Sequence, residues 1–274
     1  MAECAGPHLP RRALLRALGI GAAVVLAGCS SPNRTAPEPR SPPPPAVTAG
    51  PPPASAAAAT SPAAVDAPLP GGPAVITRGP AALPRLALTV DDGYCRDCVS
   101  GYTDFAVRTG IPLTLSPNGT YDAVWRPVSG RLAPLVERGQ LQVINHTFTH
   151  RRVLGAGSAV LRDELERNEA WISTVFRTTA RPWWRPPYGQ FDETTAHDAA
   201  TLGYDRLVMW NGSYGDAQLV TPEFLLHQAD MAFRLGAIVL GHANHPTVLA
   251  LFDQLESLLT QRGLQPVTVR TLLT

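Results

Sequence analysis

Leu86-Ala87-Leu88-Thr89-Val90-Asp91-Asp92-Gly93 is a short, unbroken apolar run that stops on two carboxylates and a glycine. Alternation of apolar and polar residues would mark a strand with one wet face; an unbroken run marks a parallel strand covered on both faces. Runs of the same kind recur at 112–115, 141–144, 206–210, 237–240 and 267–269, with a less regular one at 181–185. Helical patterns lie between them. From 159 to 176, Leu161, Leu165, Ile172, Val175 and Phe176 share one face, while Asp163, Glu166 and Arg167 fall elsewhere. Thr221-Pro222-Glu223 opens another helix, with Thr as N-cap and Pro at the first helical position. Gly139, Gly203, Gly236 and Gly263 stand where a helix would hand over to a strand. Alternating strands and helices imply an α/β fold of parallel strands with right-handed crossovers, either a barrel or an open doubly wound sheet. Both gather function at the C-terminal strand ends. Asp91-Asp92, His146, Arg185, Asn211 and His242 each follow one of the runs.

The chain before this region has a different character. About half of the 28 prolines lie between Pro32 and Pro80, among Ala, Ser, Thr and Gly. Such a segment buries too little apolar surface to offset its chain entropy, and its Pro runs favour an extended spacer. Ahead of it, Arg11, Arg12 and Arg16 precede an apolar stretch ending in Leu26-Ala27-Gly28-Cys29. The stretch is too short for a permanent membrane span and reads as an export signal. Its end resembles the lipobox of bacterial lipoproteins, which implies lipidation at Cys29; an ordinary signal peptide containing a cysteine is the alternative. Arg11-Arg12-Ala13-Leu14-Leu15 is also a loose twin-arginine pattern. The expected organisation is a signal peptide over 1–28, a lipidated Pro/Ala-rich disordered tether over 29–82, and a folded domain over 83–274. The protein would then be exported and anchored on the outer face of the membrane, or secreted. Balanced charge, 23 basic against 22 acidic residues, gives no reason to expect nucleic acid, and no protein partner suggests itself.

The polar residues at the strand ends carry chemistry. His146 and His150 stand four apart, which on a helix would turn both imidazoles towards one ion. Two histidines and a carboxylate leave open coordination positions, as a catalytic metal requires. Asp91 and Asp92 can divide the roles of ligand and general base, since adjacent residues leaving a strand point apart. Alone, this spacing suits a surface pair equally well. Cys95 and Cys98, two residues apart, read as a small disulfide in an oxidising compartment, because a lone pair supplies too few ligands for structural zinc. A thiol redox motif is the rival reading. Trp183, Trp184, Tyr94 and Tyr214 are candidates for sugar stacking or for core.

Taken together, the motifs resemble those of the polysaccharide deacetylase family (carbohydrate esterase family 4). Thr89-Val90-Asp91-Asp92-Gly93, His146-Thr147-Phe148-Thr149-His150, Arg185-Pro186-Pro187-Tyr188-Gly189 and Leu240-Gly241-His242 follow the family's order. The resemblance implies a distorted (β/α) barrel of about seven parallel strands and a divalent metal, zinc most commonly, with cobalt or manganese as substitutes. It implies Asp92, His146 and His150 as metal ligands, Asp91 as general base and His242 as general acid. It further implies that Arg185 orients Asp91, that Asp216 orients His242, and that the Tyr188 backbone N–H holds the oxyanion. Tyr188, Trp184 and Trp210 become candidates for substrate contact. The substrate implied is an acetylated glycan, with an O-acetyl esterase or an inactive glycan-binding relative as alternatives. One motif departs from the pattern: in Trp210-Asn211-Gly212-Ser213-Tyr214-Gly215-Asp216-Ala217, Ser213 replaces an aspartate and Ala217 a tryptophan.

Overall fold

A computed structural model describes residues 73–274. The expected signal peptide, Cys29 and the Pro-rich stretch to residue 72 lie outside the described residues. The described chain runs β1 (Ala74–Ile76), β2 (Arg85–Asp92), α1 (Arg96–Thr109), β3 (Leu113–Pro117), α2 (Asp122–Glu137), β4 (Leu141–Val143), α3 (Ser158–Phe176), β5 (Trp183–Trp184) and α4 (Glu193–Thr201). It continues through β6 (Arg206–Val208), β7 (Gly212–Ser213), α5 (Pro222–Ala232), β8 (Ile238–His242), α6 (Phe252–Gln261), β9 (Gln265–Val267) and α7 (Val269–Leu272). Six of the seven runs expected to be strands contain strands; the seventh, 267–269, shares only Val267 with β9, because Thr268 caps a helix and Val269 opens α7. Two were not foreseen, β1 and β7, each three residues or fewer and so too short for a periodic signal. Because β1 pairs with β6, the folded domain starts before residue 83, inside the stretch assigned above to the tether.

Every strand-to-strand ladder is parallel. One sheet has the order β4-β3-β2-β8-β7, with β9 also on β2; the other is β1-β6-β5. A bridge between Asn145 and Trp184 joins the two, so the strands curl round as a distorted barrel. At its centre, β2 is buried along seven of its eight residues, which is why its sequence does not alternate. Burying side chains such as Leu86, Leu88 and Val90 contributes roughly 1.5–3 kcal/mol apiece relative to exposure.

Helix ends follow the local rules. Thr221 accepts a hydrogen bond from the Phe224 N–H, capping α5, and Gly139, Gly203, Gly236 and Gly263 all take left-handed φ. At Gly236 a Cβ would also lie 2.4 Å from the Gly79 carbonyl oxygen. In α3 the expected apolar face is buried, but Glu164, Asn168 and Glu169 are buried too. Glu164 and Asn168 support the loops of the site, through Thr149 and through Gly119 and Asn145, whereas Glu169 holds Thr179, Ala180 and Tyr204. Among the described residues no helix is long and apolar enough to cross a membrane.

Candidate metal centre and acid–base site

Strand β2 delivers both aspartates, and its neighbours decide what they meet. In register, Asp91 lies beside His242 of β8 and beside Ser116 of β3. The chain then turns sharply at Asp92 (φ 66°) and Gly93 (φ 102°). Gly93 is needed twice over, for that φ and because a Cβ would sit 2.4 Å from the Trp125 indole nitrogen. Trp125 Nε1 donates to the Asp92 carbonyl at 3.0 Å and fixes the turn. The turn separates the two carboxylates. Asp91 Oδ1 accepts from Arg185 Nη1 at 2.6 Å, whereas Asp92 faces His146, His150 and Asn244.

The two histidines do not stand on a helix, contrary to the expectation from their spacing. They lie on a loop after β4 in which Thr147 (φ 67°) and His150 (φ 57°) are left-handed. Side chains replace the missing helical hydrogen bonds. Asn118 Nδ2 donates to the carbonyls of His146 and Thr147, and Asn145 Oδ1 accepts from the Thr147 N–H. Buried Glu164 accepts from both the N–H and the hydroxyl of Thr149. The outcome matches what a helix would have provided: His146 Nε2 and His150 Nε2 lie 3.4 and 3.3 Å from the same oxygen, Asp92 Oδ1.

That oxygen is buried and has no hydrogen-bond partner, an arrangement that costs about 1–3 kcal/mol unless something else is bound there. The ligand atoms of Asp92, His146 and His150 all lie within 4.8 Å of one another. His146 Nδ1 lies 2.8 Å from the Arg185 carbonyl, which can only accept; Nδ1 is therefore protonated and Nε2 is the atom turned to the site. Two imidazole nitrogens and one carboxylate oxygen around one point fit a divalent cation. The electrostatics agree. Burial pushes the Asp92 carboxyl upward, but the adjacent His146 imidazole and the charges of His146, His150 and His242 hold it well below the usual carboxylate range. Burial and the neighbouring His146 pull His150 down to about 4, so it is neutral at physiological pH with its lone pair free. For His146, burial acts downward but Asp91 and Asp92 raise it overall; a cation at Nε2 competes with a proton there.

Across from this cluster stand two charge pairs. Arg185, fully buried, donates to the Val208 and Met209 carbonyls and to Thr89 as well as to Asp91. Its fork is thus anchored on β6 and β2 and fixes the Asp91 carboxylate. Asp216 grips His242 doubly: one oxygen accepts from the His242 backbone N–H at 3.0 Å, the other lies 2.9 Å from Nδ1. Burial pulls His242 down, but the hydrogen bond and charge of Asp216, with Asp91 and Asp92 behind them, raise it to about 9. At neutral pH this histidine is an acid carrying its proton.

Residues 78–207 match the family model for polysaccharide deacetylase. Those residues carry a polysaccharide deacetylase domain. It is 31% identical over 176 residues to an uncharacterised protein of Streptomyces coelicolor, spanning 64% of this chain and 66% of that relative's length. Its fold resembles that of a CE4 family pseudoenzyme from Bacillus anthracis (TM-score 0.65, 22% identity, 74% and 70% of the two chains). It also resembles the Bc1960 peptidoglycan N-acetylglucosamine deacetylase (TM-score 0.66, 20% identity, 73% and 93%). A fold that serves both enzymes and pseudoenzymes leaves activity to be argued from the side chains.

In this polysaccharide deacetylase domain a pocket of about 340 Å³ opens over the site. Asp91, Asp92, His146, His150 and His242 line it, together with Tyr188 and Trp210 as expected and with Tyr121 and Asn244, which sequence reasoning missed. Asn244 Nδ2 donates to Asp92 Oδ2 at 2.7 Å, leaving Oδ1 as the free oxygen. Its signal in the sequence was slight, a polar residue two places beyond His242. Tyr188 (φ 61°) is 62% exposed, with its ring 4.7 Å from that of His150. Leu240, Trp210 and Ala217 give the pocket an apolar wall without the tryptophan absent at position 217. Trp184 is a correction. It is fully buried where β5 meets β6 and the Asn145 bridge, so its ring is core and cannot stack on a sugar. Tyr214 is likewise buried, against Gly241 and Phe233. Cys95 and Cys98 form a disulfide at the start of α1.

Proposed function

We propose that the protein is a metal-dependent hydrolase that removes acetyl groups from N-acetylated sugars of a polysaccharide, with cell-wall peptidoglycan or a chitin-like glycan as substrate. Asp92, His146 and His150 would hold the divalent cation, zinc first, with cobalt or manganese as substitutes. A bound divalent cation polarises the acetyl carbonyl and acidifies water. Asp91, kept ionised and oriented by Arg185, accepts a proton from the attacking water. The Tyr188 backbone N–H faces the developing oxyanion. His242, protonated because of Asp216, delivers its proton to the departing sugar amine. The wall of Leu240, Trp210 and Ala217 receives the methyl group.

The observation that carries this reading is the convergence on one pocket of Asp92, His146 and His150, of Asp91 held by Arg185, and of His242 held by Asp216. The acid favours an amide over an ester, because an amine leaves poorly until it is protonated. Peptidoglycan is supported by the substrate named for Bc1960. The lipobox-like end at Cys29 and the Pro-rich stretch behind it support export and anchoring on the outer face of the membrane, within reach of the wall. The test is acetate release by the purified protein from N-acetylated chitooligosaccharide and from peptidoglycan, after chelation and after zinc, cobalt or manganese is restored. Release that vanishes on chelation and returns with metal is expected. No release from either polymer while metal is bound would overturn the amide reading; an acetylated xylan then becomes the substrate to assay.

A further inference from the structure

Tyr94 is out of place as a structural residue. It follows the Asp91-Asp92-Gly93 turn, lines the pocket and is 46% exposed. An exposed tyrosine contributes little to the core, yet this one is held with care. Its ring meets the edges of Tyr121 and His245, each 5.9 Å away at 62° and 88°, and its hydroxyl lies 3.2 Å from His245 Nε2. The backbone is fixed on both sides. Ahead of it, the Gly93 N–H donates to Asn244 Oδ1. Behind it, the Cys95 N–H donates to the Ala243 carbonyl and Cys95 is tied to Cys98. A disulfide enclosing so short a loop adds little to global stability compared with a long one. Its effect is local: it stiffens the residue next to Tyr94.

Rigid, half-exposed aromatics with a polar tip are suited to the faces of sugar rings, whose C–H groups pack on the ring while hydroxyls meet the tip. We propose that Tyr94, backed by Tyr121 and His245, forms a subsite for the sugar adjacent to the one that loses its acetyl group. The site would then take an oligosaccharide of two or more residues in preference to a single acetamido sugar. The proposal rests on the deacetylase reading and adds a polymer-recognising shoulder to it. Tyr94 touches substrate away from the reacting atoms, so its contribution depends on substrate length.

The test compares kcat/KM for N-acetylchitotetraose and for N-acetylglucosamine in the wild type, Tyr94→Ala and Tyr94→Phe. Calorimetric binding of the tetramer to metal-free protein is measured in parallel. Tyr94→Ala should lower the tetramer-to-monomer ratio roughly three- to tenfold, the range of a single aromatic stacking contact. Tyr94→Phe, which keeps the ring, should recover most of it. An unchanged ratio in Tyr94→Ala alongside an active wild type overturns the subsite and leaves deacetylation standing. A phenylalanine variant as poor as the alanine one also overturns it, since the hydroxyl contact to His245 would then matter and the ring would not. A wild type that binds tetramer without releasing acetate, with binding weakened in Tyr94→Ala, removes deacetylation and retains the subsite. Neither binding nor release removes both.

Discussion

Asp216→Asn tests the acid–base assignment most directly, because it removes one charge and leaves the shape of the pair. In the folded protein His242 titrates near 9 against 6.5 for a free imidazole, a preference for the protonated form of about 3 kcal/mol. The first-named influence on it, burial, acts downward; Asp216 supplies the largest opposing contributions. Asp91 and Asp92 add less, and a bound cation would cancel part of what they add. Without the Asp216 charge, burial prevails and His242 should fall to 6.5 or below. Two measurements follow. In the pH dependence of kcat/KM for acetate release, the alkaline limb reports the acid that must stay protonated. It should move down by about two pH units or more in Asp216→Asn. In metal-free protein the same group contributes to stability. His242 has a folded pKa above its unfolded value, so its contribution is complete below pH 6.5 and is lost as pH rises through about 9. For a domain of this size, about 3 kcal/mol corresponds to roughly 6–12 °C in Tm over that window. The asparagine variant should lack this decline. An alkaline limb in the same place, together with the same Tm slope, would refute the pairing of Asp216 with His242 as the source of the acid.

The two aspartates should separate by readout: Asp92→Ala is expected to lose metal by direct metal analysis, whereas Asp91→Asn should retain metal and lose about 10²–10⁴-fold in kcat; equal metal loss in both would sink the division of roles. Arg185→Met removes the partner of a buried carboxylate and should destabilise the domain by about 3–5 kcal/mol in urea unfolding, far more than loss of an exposed Arg such as Arg167. Glu164→Ala strands the N–H and hydroxyl of Thr149 and frees the loop that carries His150, so metal affinity should fall about tenfold or more, with α3 itself intact by circular dichroism.

The strand at 86–90 and five of the other runs were legible because strands buried on both faces need unbroken apolar stretches; the run at 267–269 was misplaced, since β9 ends at Val267 and Val269 begins a helix. The residues that line the pocket, Asp91, Asp92, His146, His150 and His242, were legible because titratable side chains at the ends of parallel strands point to one site. Strand β1 was hidden in Pro/Ala-rich sequence; its three residues belong to the fold only because β6 offers an edge. The spacing of His146 and His150 suggested that both imidazoles face one point, as they do at Asp92 Oδ1, but wrongly suggested a helix. Asn118 and Glu164, remote in sequence, and the neighbouring Asn145 stabilise a left-handed loop that reaches the same geometry. Trp184 and Tyr188 lie four residues apart and were both candidates for substrate contact. One is walled in by neighbouring strands and the other stands in the open pocket, a distinction set by strand pairing. Sequence by itself determined which atoms could do chemistry, since that depends on residue type. Only the tertiary structure decided which polar atoms go unpartnered, which aromatics are exposed and how strongly His242 holds its proton, because burial and long-range contacts are properties of the packed chain.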